Sequence, residues 1–210
     1  MATIVPTITA ENAHVYRDQI ERVQGFAPRI HIDLMDGVFT PNKSTDVASV
    51  WWPEEIEADI HIMYQRPQDE IEALIKLKPR AVIIHAESDA DVPLVAGQLN
   101  AADIVCGLVV FPETTIESVK NVLPFVQQLL IFSGNLGHQG GSVANLELLE
   151  KVTQAKLINP ELEIAWDGGV NKENITQLAA AGVDVINVGG AVQLAPDAGL
   201  AYNELKALLA

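Results

Sequence analysis

The chain has 210 residues, 49% hydrophobic and 20% charged, with 28 acidic against 13 basic side chains and a formal net charge of −15. That length is enough for one domain with a sizeable core, while the acidic balance argues against a nucleic-acid partner, which needs a basic face, and against an anionic membrane surface. The single cysteine, Cys106, excludes a disulfide framework and is expected of a cytoplasmic protein; no stretch approaches the roughly 20 apolar residues of a membrane span, and no secretory signal is read at the start of the sequence.

Short apolar strands alternate with amphipathic helical segments along the whole length. A strand over residues 3–8 leads to a helix over 12–23. Residues 29–35 then form a second strand, Arg29-Ile30-His31-Ile32-Asp33-Leu34-Met35. Alternate residues of a strand share a face, so His31, Asp33 and Met35 point one way and Ile30, Ile32 and Leu34 the other. Asp36-Gly37 is a strong turn signal directly after it. Residues 46–52 read as a short helix. A third strand over 57–63 carries Asp59, His61 and Met63 on one face. Pro67 opens a helix at its favoured first position, with Ile71, Leu74, Ile75 and Lys78 on one side.

Strands over 81–85, 104–110 and 126–132 follow, separated by a helix over 92–99 and another after Thr114-Thr115. A glycine-rich loop over 134–142 precedes a helix over 145–158. A strand over 161–166 places Ala165 and Asp167 on one face, just before Gly168-Gly169. A helix over 172–181 ends at Gly182. The last strand, 183–188, runs into Gly189-Gly190, and a final helix covers 198–209. Eight strand–helix units with short connections imply a parallel sheet, and eight parallel strands close into a (β/α)8 TIM barrel, one domain over 1–210. An open doubly wound sheet is the alternative.

Two constellations fall at the carboxyl ends of these strands, where such barrels carry their chemistry. The first is His31, Asp33, His61 and Asp167. Two imidazoles and two carboxylates at a common mouth suit a divalent first-row metal such as zinc, manganese or iron(II); taken singly, each is equally a hydrogen-bonded polar pair or a turn residue. The second is glycine-rich: Gly134, Gly137, Gly140 and Gly141, then Gly168-Gly169, then Gly189-Gly190, after three consecutive strands. Glycine lets backbone N–H groups approach a phosphate closely, and it also simply permits turns. An anionic ligand here would need local positive potential against the global charge.

The motif His31-x-Asp33-x-Met35-Asp36-Gly37-x-Phe39-x-Pro41-Asn42 closely resembles the signature of the ribulose-phosphate 3-epimerases, and the similarity runs through the chain in order. The resemblance implies that His31, Asp33, His61 and Asp167 ligate one divalent metal, and that Asp33 and Asp167 also exchange protons with the substrate. It implies that Met35 and Met63 crowd the reacting carbon; a third family methionine is absent from Leu129-Leu130-Ile131. It further implies a ketose phosphate as substrate, most simply ribulose 5-phosphate and xylulose 5-phosphate, bound by Thr7, Gly137, His138, Gln139, Gly168, Gly169, Gly189 and Gly190, in a cytoplasmic homo-oligomer.

This chain departs from the family at the glycine-rich loop, where His138 replaces a glycine, at Gly190, where the family has serine, and at Phe111, where it has asparagine. His85-Ala86-Glu87 matches the family's His-x-Glu on strand four and is read as a support for the ligands. Other readings are an epimerase for another ketose, a non-catalytic sugar-phosphate barrel, and a lyase. Related lyases use Asp-x-Lys-x-x-Asp on strand three, where this chain has Asp59-Ile60-His61-Ile62-Met63-Tyr64 and no lysine.

Overall fold

The structure is a computed structural model that describes residues 2–209. Eight parallel strands pair in chain order: β1 (Thr3–Thr9), β2 (Arg29–Met35), β3 (Glu57–Met63), β4 (Ala81–His85), β5 (Val105–Val110), β6 (Gln128–Phe132), β7 (Glu163–Asp167) and β8 (Val185–Val188). β8 pairs back with β1, Ile186 opposite Ile4, which closes the barrel and excludes the open sheet. The helices are α1 (Ala13–Val23), α2 (Ile71–Leu77), α3 (Val92–Asn100), α4 (Ile116–Val119), α5 (Glu150–Ile158), α6 (Ile175–Ala180), α7 (Gly190–Gln193) and α8 (Ala198–Ala207). Among the described residues no helix is long and apolar enough to cross a membrane.

The two faces of β2 and β3 divide as their alternation requires. Ile30, Ile32, Leu34, Ile60 and Ile62 are fully buried in the layer between barrel and helices, with Ile20, Leu74 and Leu99. His31, Asp33, Met35, Asp59, His61 and Met63 face inward.

Several boundaries differ from the sequence reading. The helix expected over 46–52 is a single 3-10 turn, Val47–Ser49. So short a segment cannot meet the cost of helix nucleation, and Pro53 disfavours helical backbone at Trp52. The loop is held instead by the Tyr16 hydroxyl, which donates to the Trp51 carbonyl at 2.7 Å. Lys78 does not share the buried side of α2: it ends the helix in the left-handed conformation, φ 55°, and is exposed. α6 starts at Ile175, later than expected, because Asn171 and Asn174 build their own turn; the Asn174 side chain accepts from the Asn171 N–H at 2.9 Å. Asp167 is the last residue of β7 rather than the residue after it.

The barrel interior changes chemistry from bottom to top. At the amino ends of the strands, Arg29 donates to Asp59 at 2.5 and 2.9 Å and to Glu163 at 3.2 Å. Arg80 reaches the same two acids, at 3.2 Å to Asp59 and 2.9 Å to Glu163. Gln128 completes the group by donating to Glu163 at 2.7 Å. Two cations against two anions make a neutral plug, so each buried charge is compensated locally. Above it lies an apolar layer of Val5, Ala81, Ile83, Val109, Leu130, Ala165 and Val185.

Removing one member of the plug strands a buried charge. Asp59→Ala is expected to lower unfolding free energy by about 3–5 kcal/mol, measured by urea denaturation, with chemistry at the opposite end of the barrel unchanged in the fraction that stays folded.

Candidate active site

β2 delivers two of the four candidate ligands because its inward face alternates, and β3 and β7 supply one each. One ligand atom from each of His31, Asp33, His61 and Asp167 lies within 4.8 Å of all the others. Both imidazoles are completely buried, and the two carboxylates close the top.

Within the cluster His61 Nδ1 is 2.9 Å from Asp33 Oδ1. His31 Nε2 lies 3.3 Å from Asp33 Oδ1 and 3.9 Å from Asp167 Oδ2. Thr9 donates its hydroxyl to Asp33 Oδ2 at 2.7 Å. On the far side of His61, Nε2 is 2.8 Å from His85 Nε2, and His85 Nδ1 is 3.4 Å from Glu87 Oε2. Glu87 is itself held by the Phe111 N–H at 2.9 Å and by the Thr114 hydroxyl. A chain of polar groups thus fixes the His61 ring from behind, as ligands are usually oriented.

The two carboxyl groups are pushed apart in acidity. Burial alone would raise Asp33, but the close contacts and charges of His31 and His61 outweigh it and hold the group well below the usual carboxylate range. Asp167 is pushed up to about 7, by burial and then by the negative charge of Asp33. Burial lowers His61 to about 4, against the pull of Asp33. His31 is raised, because the close approach of Asp33 at 3.3 Å and the charges of Asp33 and Asp167 overcome its burial.

The residues fit a divalent cation. His31 Nε2 is buried and has no hydrogen-bond partner, an uncommon loss for a polar atom. It faces two carboxylates, and among the described residues the ion pairs of Asp33 and Asp167 are with histidines. A two-histidine, two-carboxylate donor set suits zinc, manganese or iron(II).

Beside the cluster is a cavity of about 230 Å³. Asp33 and Asp167 reach its floor, and Thr7 and Met63 line it, whereas His31, His61 and Met35 lie behind that lining. Gly137, His138 and Gln139 form one wall, and Gly168, Gly169, Gly189 and Gly190 the other. Glycine is demanded at Gly168 and Gly169: their φ values are +113° and +70°, and a Cβ on either would meet the backbone of the neighbouring loop at 2.1 Å.

The second-strand motif builds the rim. Asp36 Oδ1 accepts from the Val38 and Phe39 N–H groups, both at 2.8 Å, and Gly37 takes φ +76°. Asn42 donates to the Gly137 carbonyl at 2.7 Å, pinning the glycine-rich loop over the mouth. The His138 ring bonds within this rim, 3.1 Å from the Leu136 carbonyl and 3.4 Å from the Asn42 amide. Gln139 donates to the Thr7 carbonyl at 2.9 Å. Trp166 is fully buried on the outer face of β7, opposite Asp167. His14 is exposed on α1.

Three residues of the site escaped the sequence reading. Thr9, Phe132 and Asn187 each stand two residues from an inward position, so strand alternation could have found them; Phe132 and Asn187 are ordinary-looking members of apolar strands.

Solved structures with a similar chain path include a 3-hexulose-6-phosphate synthase, with TM-score 0.75, 15% identity and 99% coverage of each chain. Another is the orotidine 5′-phosphate decarboxylase of Pyrococcus horikoshii, with TM-score 0.69, 14% identity and the same coverage. At such identities the likeness is one of fold. The model of the Ribulose-phosphate 3 epimerase family matches residues 3–193. Ribulose-phosphate 3-epimerases of Helicobacter pylori and Mycobacterium tuberculosis are 30% and 33% identical over 210 residues, which is 97% of this chain and 96% and 91% of theirs. The chloroplastic ribulose-5-phosphate-3-epimerase of Arabidopsis thaliana is 29% identical over 97% of this chain and 76% of that protein.

Fold, site and relatives together define an isomerase, an epimerase acting on carbohydrates. Within that class the chain belongs to the ribulose-phosphate 3-epimerase family.

The ionisation pattern predicts how the cation-free protein responds to pH. Asp33's contribution to stability is complete above its ordinary value of 3.8, and those of the lowered His61 and His85 are complete by 6.5. Asp167 and His31 have raised values, so above pH 6.5 the folded state binds more protons than the unfolded one, and stability falls as pH rises. Urea midpoints in chelator are expected to drop from pH 6.5 upward, and saturating Mn(II) to abolish the drop, because the cation takes over the protons' role.

Proposed function

We propose that the protein epimerises carbon 3 of a ketose phosphate, most simply interconverting ribulose 5-phosphate and xylulose 5-phosphate. The observation that carries this reading is the convergence of His31, Asp33, His61 and Asp167 at one point beside the cavity. These four residues would hold one divalent cation. Bound there, the cation supplies Lewis-acid stabilisation of the negative charge that develops on the substrate oxygens when carbon 3 loses its proton.

The chain's own residues then divide the proton work. Ionised Asp33 takes the proton from carbon 3, becoming a carboxylic acid and leaving an enediolate. Asp167, on the other side of the cluster, returns a proton to the opposite face, and the reverse reaction exchanges the roles. The hydroxyl of Thr9 fixes Asp33 from the side away from His61. Met63, and Met35 behind it, keep the reacting end of the pocket apolar and poor in water.

The phosphate is placed against the glycine-rich walls. Gly168, Gly169, Gly189 and Gly190 leave the backbone bare along the cavity lining, and backbone N–H groups bind phosphate without side-chain charge. Gly137, His138 and Gln139 close over it, and Thr7 adds a hydroxyl from β1. Phe132 adds an apolar ring to the lining, with Phe111 packed behind it edge to face at 5.9 Å.

Asp167→Asn is expected to lower turnover by roughly 10²–10⁴-fold while the fold is retained, read as formation of xylulose 5-phosphate from ribulose 5-phosphate in a coupled assay; near-normal turnover would remove Asp167 from the acid–base pair. His138→Gly is expected to raise KM more than it lowers kcat in a coupled assay of the same substrate, and unchanged values of both would take His138 out of the substrate site.

A further inference from the structure

His31 is the ligand candidate whose ring has no chain of supports of the kind His61 has. Its single described ring contact outside the cluster is with Asn187, on β8: the Asn187 side-chain nitrogen is placed 3.2 Å from His31 Nδ1. Both side chains are essentially inaccessible, with His31 at 0% and Asn187 at 1% exposure.

As placed, the amide N–H donates to Nδ1. An imidazole whose Nδ1 accepts must, when neutral, carry its hydrogen on Nε2. That arrangement leaves Asn187 Oδ1 buried without a donor, and leaves His31 Nε2 without a partner although it faces Asp33 and Asp167. It also occupies with a hydrogen the lone pair that a metal ligand must present.

A half-turn of the Asn187 amide exchanges its oxygen and nitrogen with almost no change of shape. Oδ1 then accepts a hydrogen from His31 Nδ1, and the lone pair of Nε2 is left facing the two carboxylates. The gain on His31 decides between the two arrangements.

We propose that Asn187 is a positioning residue for the metal site: its side-chain oxygen accepts from His31 Nδ1 and so holds His31 in the tautomer and orientation that present Nε2 to a divalent cation. The amide acts through His31 and touches neither cation nor substrate in this role. It matches in purpose the His85–Glu87 chain behind His61, but with a neutral acceptor, so β8 contributes to ligation without adding a third negative charge to the mouth. The proposal rests on the four-ligand reading of the site, and its test separates the two.

The experiment uses the full-length protein and Zn(II), a diamagnetic probe. Long-range proton–nitrogen correlation spectra of the ¹⁵N-labelled, Zn(II)-loaded protein are expected to show His31 with a protonated Nδ1 and a metal-bound Nε2. Calorimetric titration is expected to show Asn187→Leu, which keeps the size but removes the acceptor, binding Zn(II) roughly 10–100-fold more weakly than the unaltered chain. Asn187→Asp, which keeps an acceptor in place, is expected to recover most of that loss. A Zn(II)-loaded His31 protonated on Nε2, or Asn187→Leu binding Zn(II) as tightly as the unaltered protein, would overturn the role of Asn187 and leave the metal site standing. An unaltered protein that takes up no Zn(II) would overturn both. The spectra of the unaltered protein decide the matter even if Asn187→Leu does not fold.

Discussion

Two carboxylates share the mouth of this barrel, and among the described residues no arginine or lysine is paired with either. The contrast with the other end is instructive. There, Arg29 and Arg80 meet Asp59 and Glu163, and every buried charge has its opposite beside it. At the mouth, the described partners of Asp33 and Asp167 are histidines. Burying negative charge is expensive unless something positive or hydrogen-donating compensates it. The protein meets the cost by letting Asp167 keep a proton and His31 gain affinity for one. A divalent cation held by the four residues would relieve the same constraint, compensating both carboxylates at once.

The loops around the mouth are tied to one another rather than left to move separately. Asn42, from the loop after β2, holds the Gly137 carbonyl of the loop after β6. Gln139 of that loop reaches the Thr7 carbonyl on β1, and Gln19 of α1 bridges Gln139 and the Thr9 backbone. Thr9 in turn donates to Asp33. One connected set of hydrogen bonds therefore links the rim to a carboxylate of the floor. The glycines serve close approach: the loops after β6 and β7 touch where a single methyl group would force them apart. Preorganisation of this kind is how a small cavity holds a substrate in register with its reacting groups.

Much of this was legible before any coordinates. Alternation along residues 29–35 and 57–63 assigned the inward faces of β2 and β3 correctly, because period two is a local property of extended backbone. Repetition of the strand–helix unit called for a parallel sheet, and the turn signals Asp36-Gly37, Gly168-Gly169 and Gly189-Gly190 marked where the strands open into the mouth. Local patterns misled where context outweighed them. Residues 46–52 looked helical but are too short to hold a helix beside Pro53, and Asn171 and Asn174 delayed the start of α6 with side-chain bonds that composition does not reveal.

The residue types needed for the chemistry, and the face of each strand that carries them, were written in the order of amino acids, since alternation and turn chemistry depend only on near neighbours. What required the tertiary structure was closure. Only when β8 pairs with β1 do residues 31, 33, 61 and 167 come within 4.8 Å of one another, do two aspartates acquire opposed acidities, and does an asparagine 156 positions away stand against His31. Burial, charge proximity and hydrogen bonding between distant strands are properties of that enclosed space, and short-range pattern in a sequence carries no record of them.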